Sequence, residues 1–465
     1  MPMRRTLVFY LATLIIFGAG IAAVVTYGDR ANPVPGGQAP ADAASQSPDA
    51  LRTLLLQIVV IVAATRAVGH LCTRVRQPAV IGEVLAGIVL GPSLLGLVWP
   101  AANAFVFPPQ SLEALRLLSQ VGVILFMFIV GIELEMEFVQ RKAQTALLVS
   151  HASIIIPLFL GAALSLTLYQ SFGPPHLPFW VFALFVGVAM SITAFPVLAR
   201  IIEERGLSGS LLGNIAIACA AVDDVTAWSL LAIVVALVKA GGLGGALLLI
   251  ALAALFSIFL IYIARPWLAR RLSDRAGGNG DLPVWQVAGL LVFALASALA
   301  TEAMGFHALF GAFLAGVVMP GNAKLRAFLR ERIETIGSAL LLPLFFAFTG
   351  LRTQVGLLND WQTWGACAAI IAVAIAGKLG GTAVAARWAG MSWHNGLFLG
   401  ALMNTRGLVE LIVLNIGRDL GILSPRMFTM MVLMALVTTF MTGPLLELLE
   451  WARSRRHGLL PKEAP

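Results

Sequence analysis

Asp223 and Asp224 are neighbours in an apolar stretch, Leu211 to Val238, that reads LLGNIAIACAAVDDVTAWSLLAIVVALV. Acids placed deep in a bilayer are costly, and they are found where an ion is bound or a proton is relayed. Consecutive helical residues point about 100° apart, so these two carboxylates cannot face the same spot. One acid then suits a transported ion, and the other needs a partner. Lys378, within AIIAVAIAGKLGGTAVAA, supplies the opposite charge and is as costly as an aspartate if left unpaired. An Asp223–Lys378 pair either fixes helix packing or acts as a second unit that carries a proton. The residues leave both roles open.

Two segments carry signs of interrupted helices. Met190-Ser191-Ile192-Thr193-Ala194-Phe195-Pro196 is polar and proline-broken inside an apolar run, and Met403-Asn404-Thr405-Arg406-Gly407 is polar and ends on glycine. Proline removes a backbone donor and glycine favours unwinding. Thr193, Pro196, Asn404, Thr405 and Arg406 would therefore border the acidic helix with freed carbonyls and helix ends. Arg406 and Glu410 are four apart and pair if that segment is helical, either holding the broken helix in place or gating ion access. Glu83, in QPAVIGEVLAGIVLGPSLLG, either lines an entrance funnel or faces interfacial water. Glu133, Glu135 and Glu137 read as solvated, Glu302 and His307 as flanking a short outer loop, and His151 as a satisfied core histidine. The ten tryptophans lie mostly near helix ends, as an aromatic belt does.

The elements that must hold these residues are membrane helices. The chain has 465 residues, of which 59% are apolar and 12% charged, and its mean hydropathy is +0.91. That leaves too little polar surface for a soluble protein of this length. Apolar runs near 20 residues recur without strand-like alternation. The pattern predicts an all-α polytopic membrane protein with fourteen crossings, near 5–27, 53–72, 79–97, 112–134, 145–170, 178–199, 211–238, 245–264, 284–304, 307–320, 333–350, 362–383, 396–416 and 426–447.

Cations gather in alternate loops, at Arg74 and Arg76, Arg141 and Lys142, Arg200 and Arg205, Arg265 to Arg275, Lys324 to Arg332, Arg387 and Arg453 to Lys462. By the positive-inside bias both termini are cytoplasmic. The net charge of +8 then reflects topology, and no nucleic acid is expected as a partner.

Residues 1–27 read as an extra N-terminal transmembrane helix or uncleaved signal-like segment, 28–50 as a flexible external linker, 51–450 as the transmembrane domain and 451–465 as a short basic tail. Within the domain, six helices from 53 to 238 and six from 284 to 447 flank a linking helix at 245–264, and their crossing directions make the halves inverted repeats. Cys72, Cys219 and Cys367 show no metal or disulfide spacing. Nucleotide-binding, metalloprotease and nucleophile-elbow motifs are absent, so no cofactor, nucleotide, catalytic residue or resident metal is expected. The chain is therefore not expected to be an enzyme, and its energy comes from gradients.

Six motifs in order, QPAVIGEVLAGIVLGPSLLG, LFMFIVGIELEM, SITAFPVLARII, AAVDDVTAW, FFAFTGLRTQVGLL and MNTRGLVELIVLNIGRDLGILSPRMFTMMVLMALVTTFMTGP, resemble cation:proton antiporter family 2, especially its plant-type cation/H⁺ exchanger branch. The resemblance implies a sodium/proton antiporter-like fold, a homodimer in the cell (inner) membrane, and a core domain in which two broken helices cross and which moves like an elevator. It carries the family's ion-binding aspartate onto Asp224, the variable residue before it onto Asp223 and the intramembrane lysine onto Lys378. Plant-type members usually have Asn where Asp223 stands; an Asp there resembles electrogenic sodium/proton antiporters. The implied function is exchange of Na⁺, K⁺ or Li⁺ for H⁺, enforced because protonating Asp224 removes the charge that holds the cation. A K⁺ efflux channel or electroneutral K⁺/H⁺ exchanger on the same scaffold is the nearest rival, and an ion or pH sensor without flux is a rival of another class.

Overall fold

The computed structural model describes residues 48–133, 143–207, 210–239, 243–273, 283–320 and 323–456. The expected helix at 5–27, nearly all of the linker, Glu135, Glu137 and the tail from 457 lie outside the described residues. Among the described residues every regular element is a helix. The first six are α1 (Pro48–Arg74), α2 (Ala79–Leu90), α3 (Leu112–Glu133), α4 (Ala143–Phe172), α5 (Phe179–Ser191) and α6 (Phe195–Glu204). Next come α7 (Leu211–Lys239), α8 (Leu243–Phe259), α9 (Val284–Ala303), α10 (Ala308–Val317), α11 (Ala323–Ile336) and α12 (Leu342–Arg352). Then follow α13 (Trp361–Ile375), α14 (Gly381–Trp388), α15 (Trp393–Met403), α16 (Leu408–Asp419) and α17 (Pro425–Arg456). Short turns at Leu95–Val98 and Pro100–Val106 join α2 to α3, and a π-helical turn at Leu260–Ala264 continues α8 into Arg265–Ser273.

Eleven helical spans are long and apolar enough to cross a membrane, or twelve with the bent pair α15 and α16. The fourteen crossings read from sequence are corrected at residues 307–320. There α10 has only 10 residues, about 15 Å of rise against a hydrocarbon core of about 30 Å. Gly305, at φ +93°, turns the chain after α9, the helix starts at Ala308, and it stops at Val317, three residues before Pro320. The short helix lies directly on α3. A Cβ on Gly131 would come 2.2 Å from the Phe313 carbonyl oxygen, and one on Gly316 would come 2.2 Å from that of Phe128. Only two glycines let these backbones meet.

The helices pack mainly in two sets. In one, α2 lies on α1 and α12, while α3 lies on α10 and α12 and α9 lies on α10. In the other, α4 is central and contacts α5, α7, α13 and α14, while α15 packs on α14, α17 and α7. Leu247, Leu255, Ile263, Phe159 and Leu166 point outward and are more than half exposed. Hydrocarbon is the solvent that makes such a surface stable.

Candidate ion-binding site

The site is built where α4, α5 and α7 meet the interruption in the span from Trp361 to Trp388. Asp223 and Asp224 are both completely buried midway along α7. Their surroundings differ in kind. Asp223 Oδ1 accepts a hydrogen bond from Ser150 (2.6 Å), and Oδ2 accepts from Ser153 (2.9 Å), Thr193 (2.7 Å) and Lys378 Nζ (2.9 Å). Neither carboxylate oxygen of Asp224 has a hydrogen-bond partner among the described residues. The charges in Coulombic range of Asp224 are Asp223 and Lys378. One acid is saturated by protein, and its neighbour is left for something else.

Lys378 sits in a π-helical turn, Ala376–Gly380, between α13 and α14. Such bulges break helical register and frequently mark functional positions. Besides Asp223, its ammonium donates to the carbonyls of Ser153 (2.9 Å) and Ser191 (2.5 Å). Arg406 completes the cover of the same helix end. Its Nη1 donates to the Ala189 carbonyl (3.2 Å) and its Nη2 to that of Met190 (2.7 Å). The last carbonyls of α5 are thus capped by two buried cations, which the negative pole of a helix C-terminus favours.

α5 ends at Ser191 because Ile192 turns extended (φ −74°, ψ 137°), and Pro196 falls in the first turn of α6, where a missing N–H costs nothing. α15 ends at Met403, and the chain resumes helix at Leu408 after a bend of 49°. The two breaks touch through the Ala194 N–H, which donates to the Thr405 carbonyl at 3.0 Å. Gly407 is required by space: a Cβ there would lie 2.7 Å from Val197 Cγ2. Thr439 on α17 accepts from the Arg406 N–H (3.0 Å) and donates to the Arg406 carbonyl (2.8 Å). Asn404 Nδ2 reaches the Thr438 carbonyl (3.4 Å), and Thr405 Oγ1 reaches Thr442 Oγ1 (3.4 Å).

Arg406 pairs with Glu410 at 3.0 Å although Arg406 precedes α16 and is not helical. Glu83 does not face interfacial water. It is buried in the first half of α2, in Coulombic range of Arg66 and Arg200. His151 is exposed rather than in the core, and Glu302 accepts from the Ala308 N–H (2.8 Å) at the start of α10. Ser150, Ser153, Thr438, Thr439 and Thr442 support the site and were not singled out in the sequence. Small hydroxyls in apolar helices carry no periodic signal, since they also bond their own helix carbonyls.

Among the described residues no group of three or more His, Cys, Asp or Glu is placed to hold a metal ion. The arrangement offers one free carboxylate, one neutralised pair and a frame of capped helix ends. That is suited to binding a single monovalent charge and releasing it.

Residues 58–449 match the family described as sodium/hydrogen exchanger, transmembrane. The chain is 42% identical over 396 residues to the Na⁺/H⁺ antiporter NhaS4 of Synechocystis sp., covering 85% of this chain and 96% of that protein. It is 42% identical over 399 residues to cation/H⁺ antiporter 17 of Arabidopsis thaliana and 35% identical over 383 residues to K⁺/H⁺ antiporter 1 of Saccharomyces cerevisiae. It spans 48% and 43% of those two longer proteins. Its fold is similar to that of the sodium proton antiporter MjNhaP1 from Methanocaldococcus jannaschii, with a TM-score of 0.63 at 13% identity, covering 87% of this chain and 97% of that one.

Proposed function

The chain belongs to the sodium/hydrogen exchanger family and is a multi-pass, secondary active cation/proton antiporter rather than an enzyme; from that premise we propose that Asp224 is the carboxylate for which cation and proton compete. The observation that carries this is the contrast on α7. Asp223 takes four side-chain hydrogen bonds, while the equally buried Asp224 has no hydrogen-bond partner among the described residues. Charge on Asp224 draws a cation; a proton on it removes the attraction. Exchange follows because one oxygen pair cannot hold both.

The transported cation is Na⁺ in this proposal, with K⁺ or Li⁺ as alternatives. The relative matched over almost its whole length is named for Na⁺, whereas the one named for K⁺ is matched over less than half. Exchange is electrogenic if the Asp223–Lys378 unit also gives up a proton, so that two protons move per cation. The scaffold acts as a dimer of inverted repeats in the cell membrane, with both termini cytoplasmic. The crossing of the α5/α6 and α15/α16 breaks then moves as one body relative to the set of helices around α3 and α10.

Voltage tests the stoichiometry. In proteoliposomes a Na⁺ gradient should drive uphill proton movement, and an imposed potential should change its rate. One net charge gains about 2.3 kcal/mol per 100 mV. Rates independent of voltage would make exchange electroneutral, and Na⁺ flux without coupled proton movement would mean a channel.

A further inference from the structure

Trp228 departs from the rest of its kind. The other tryptophans serve helix ends and loops, whereas Trp228 lies mid-way along α7 and is 2% exposed. Its ring stacks on Phe313 of α10, with centroids 6.2 Å apart and planes inclined by 25°. It therefore sits where α7 meets the other set of helices. Its indole N–H has no hydrogen-bond partner among the described residues. A buried donor without an acceptor is as unfavourable as a buried acceptor without a donor, and such groups call for a partner.

Four residues earlier stands Asp224, whose two oxygens also have no hydrogen-bond partner among the described residues. Residues four apart share a helix face, and helical side chains lean back towards the N-terminal turn. The indole of Trp228 thus leans towards the turn that carries Asp224. One donor and one acceptor, both buried and both without a hydrogen-bond partner among the described residues, lie four residues apart on α7.

We propose that Trp228 is a positioning and specificity residue for the exchanging carboxylate: a water accepts from its indole N–H and donates to one oxygen of Asp224, leaving the other oxygen for the cation or proton. The ligand class is a monovalent cation that enters carrying part of its hydration shell, because the bridging water belongs to both. Water-mediated bonds of this kind are nearly as favourable as direct ones. This inference rests on the assignment of Asp224 as the ion-binding acid.

The test is Trp228→Phe in proteoliposomes, which keeps an aromatic ring against Phe313 and removes the N–H. The expected result is an apparent KM for Na⁺ raised about tenfold, the loss expected of a hydrogen bond to a charged group, at an unchanged maximal rate. Discrimination between Na⁺ and K⁺ should weaken in parallel. Trp228→Leu, which removes ring and N–H together, should in addition lower the thermal midpoint. If Trp228→Phe destabilises the protein, benzothienylalanine at position 228 replaces the N–H by sulfur in the same bicyclic shape and carries the measurement. Wild-type KM and selectivity in the N–H-free protein would overturn the proposal and leave Trp228 as packing. Asp224→Asn is assayed beside them: if it still exchanges, the site assignment itself has failed, whereas if only the Trp228 variants behave as wild type, this inference alone has.

Discussion

Asp224→Asn abolishes cation-dependent proton movement, down to the level of protein-free liposomes, while the protein remains folded. The expectation follows from what each atom does at the site. Asparagine has nearly the shape of aspartate, but it carries no charge to draw a cation and takes no proton near neutral pH. Neither oxygen of Asp224 holds a hydrogen bond among the described residues, so the substitution breaks none. It also removes a buried charge, which proteins bear only at a cost. The thermal midpoint in detergent should therefore equal or exceed that of the wild type. Loss of exchange with retained stability separates an ion-binding acid from a structural one; normal exchange would remove Asp224 from the site.

Asp223→Ala produces the opposite pattern, a large loss of stability. Asp223 and Lys378 are both wholly buried and 2.9 Å apart. Removing one partner of such a pair leaves the other charge uncompensated, at about 3–5 kcal/mol. The hydroxyls of Ser150, Ser153 and Thr193 lose their acceptor at the same time. Asp223→Asn combined with Lys378→Met removes both charges and should recover most of the loss, since neutral replacement of a buried pair is often tolerated. Thermal unfolding of the purified variants decides this. A single Asp223→Ala variant as stable as the wild type would mean that the pair contributes nothing to the frame.

The different surroundings of the two aspartates were legible because a helix cannot aim adjacent side chains at one point, and because Lys378 offered an opposite intramembrane charge, while Arg406 had Glu410 within its own segment. The two breaks were legible because Pro196 and Gly407 each stand beside polar residues in an apolar run; proline or glycine alone is no such sign, since Pro157 and Pro444 lie inside α4 and α17. What those breaks touch was not. Arg406 was placed at the break and paired with Glu410, its neighbour by helical spacing, but its reach across to the carbonyls of Ala189 and Met190 was not foreseen. Backbone acceptors have no residue type, so no sequence pattern announces them. Glu83 shows the same limit in another form: its position near a helix end suggested an entrance funnel or interfacial water, and its burial reflects α1 packing beside it at Gly69. Helix count failed at 307–320, where hydropathy stayed high but α10 covers only Ala308–Val317, because an apolar run records burial and not length of helix.

The most direct test of the central claim is the number of protons released when Na⁺ binds to the purified protein, measured by titration calorimetry in buffers of different ionisation enthalpy. Competition at one carboxylate predicts that wild-type protein, titrated at a pH where the site is protonated, releases about one proton from Asp224 per Na⁺ bound, and that Asp224→Asn binds no Na⁺ and releases none. Na⁺ binding by the wild type with no proton release, or undiminished release from Asp224→Asn, would contradict it.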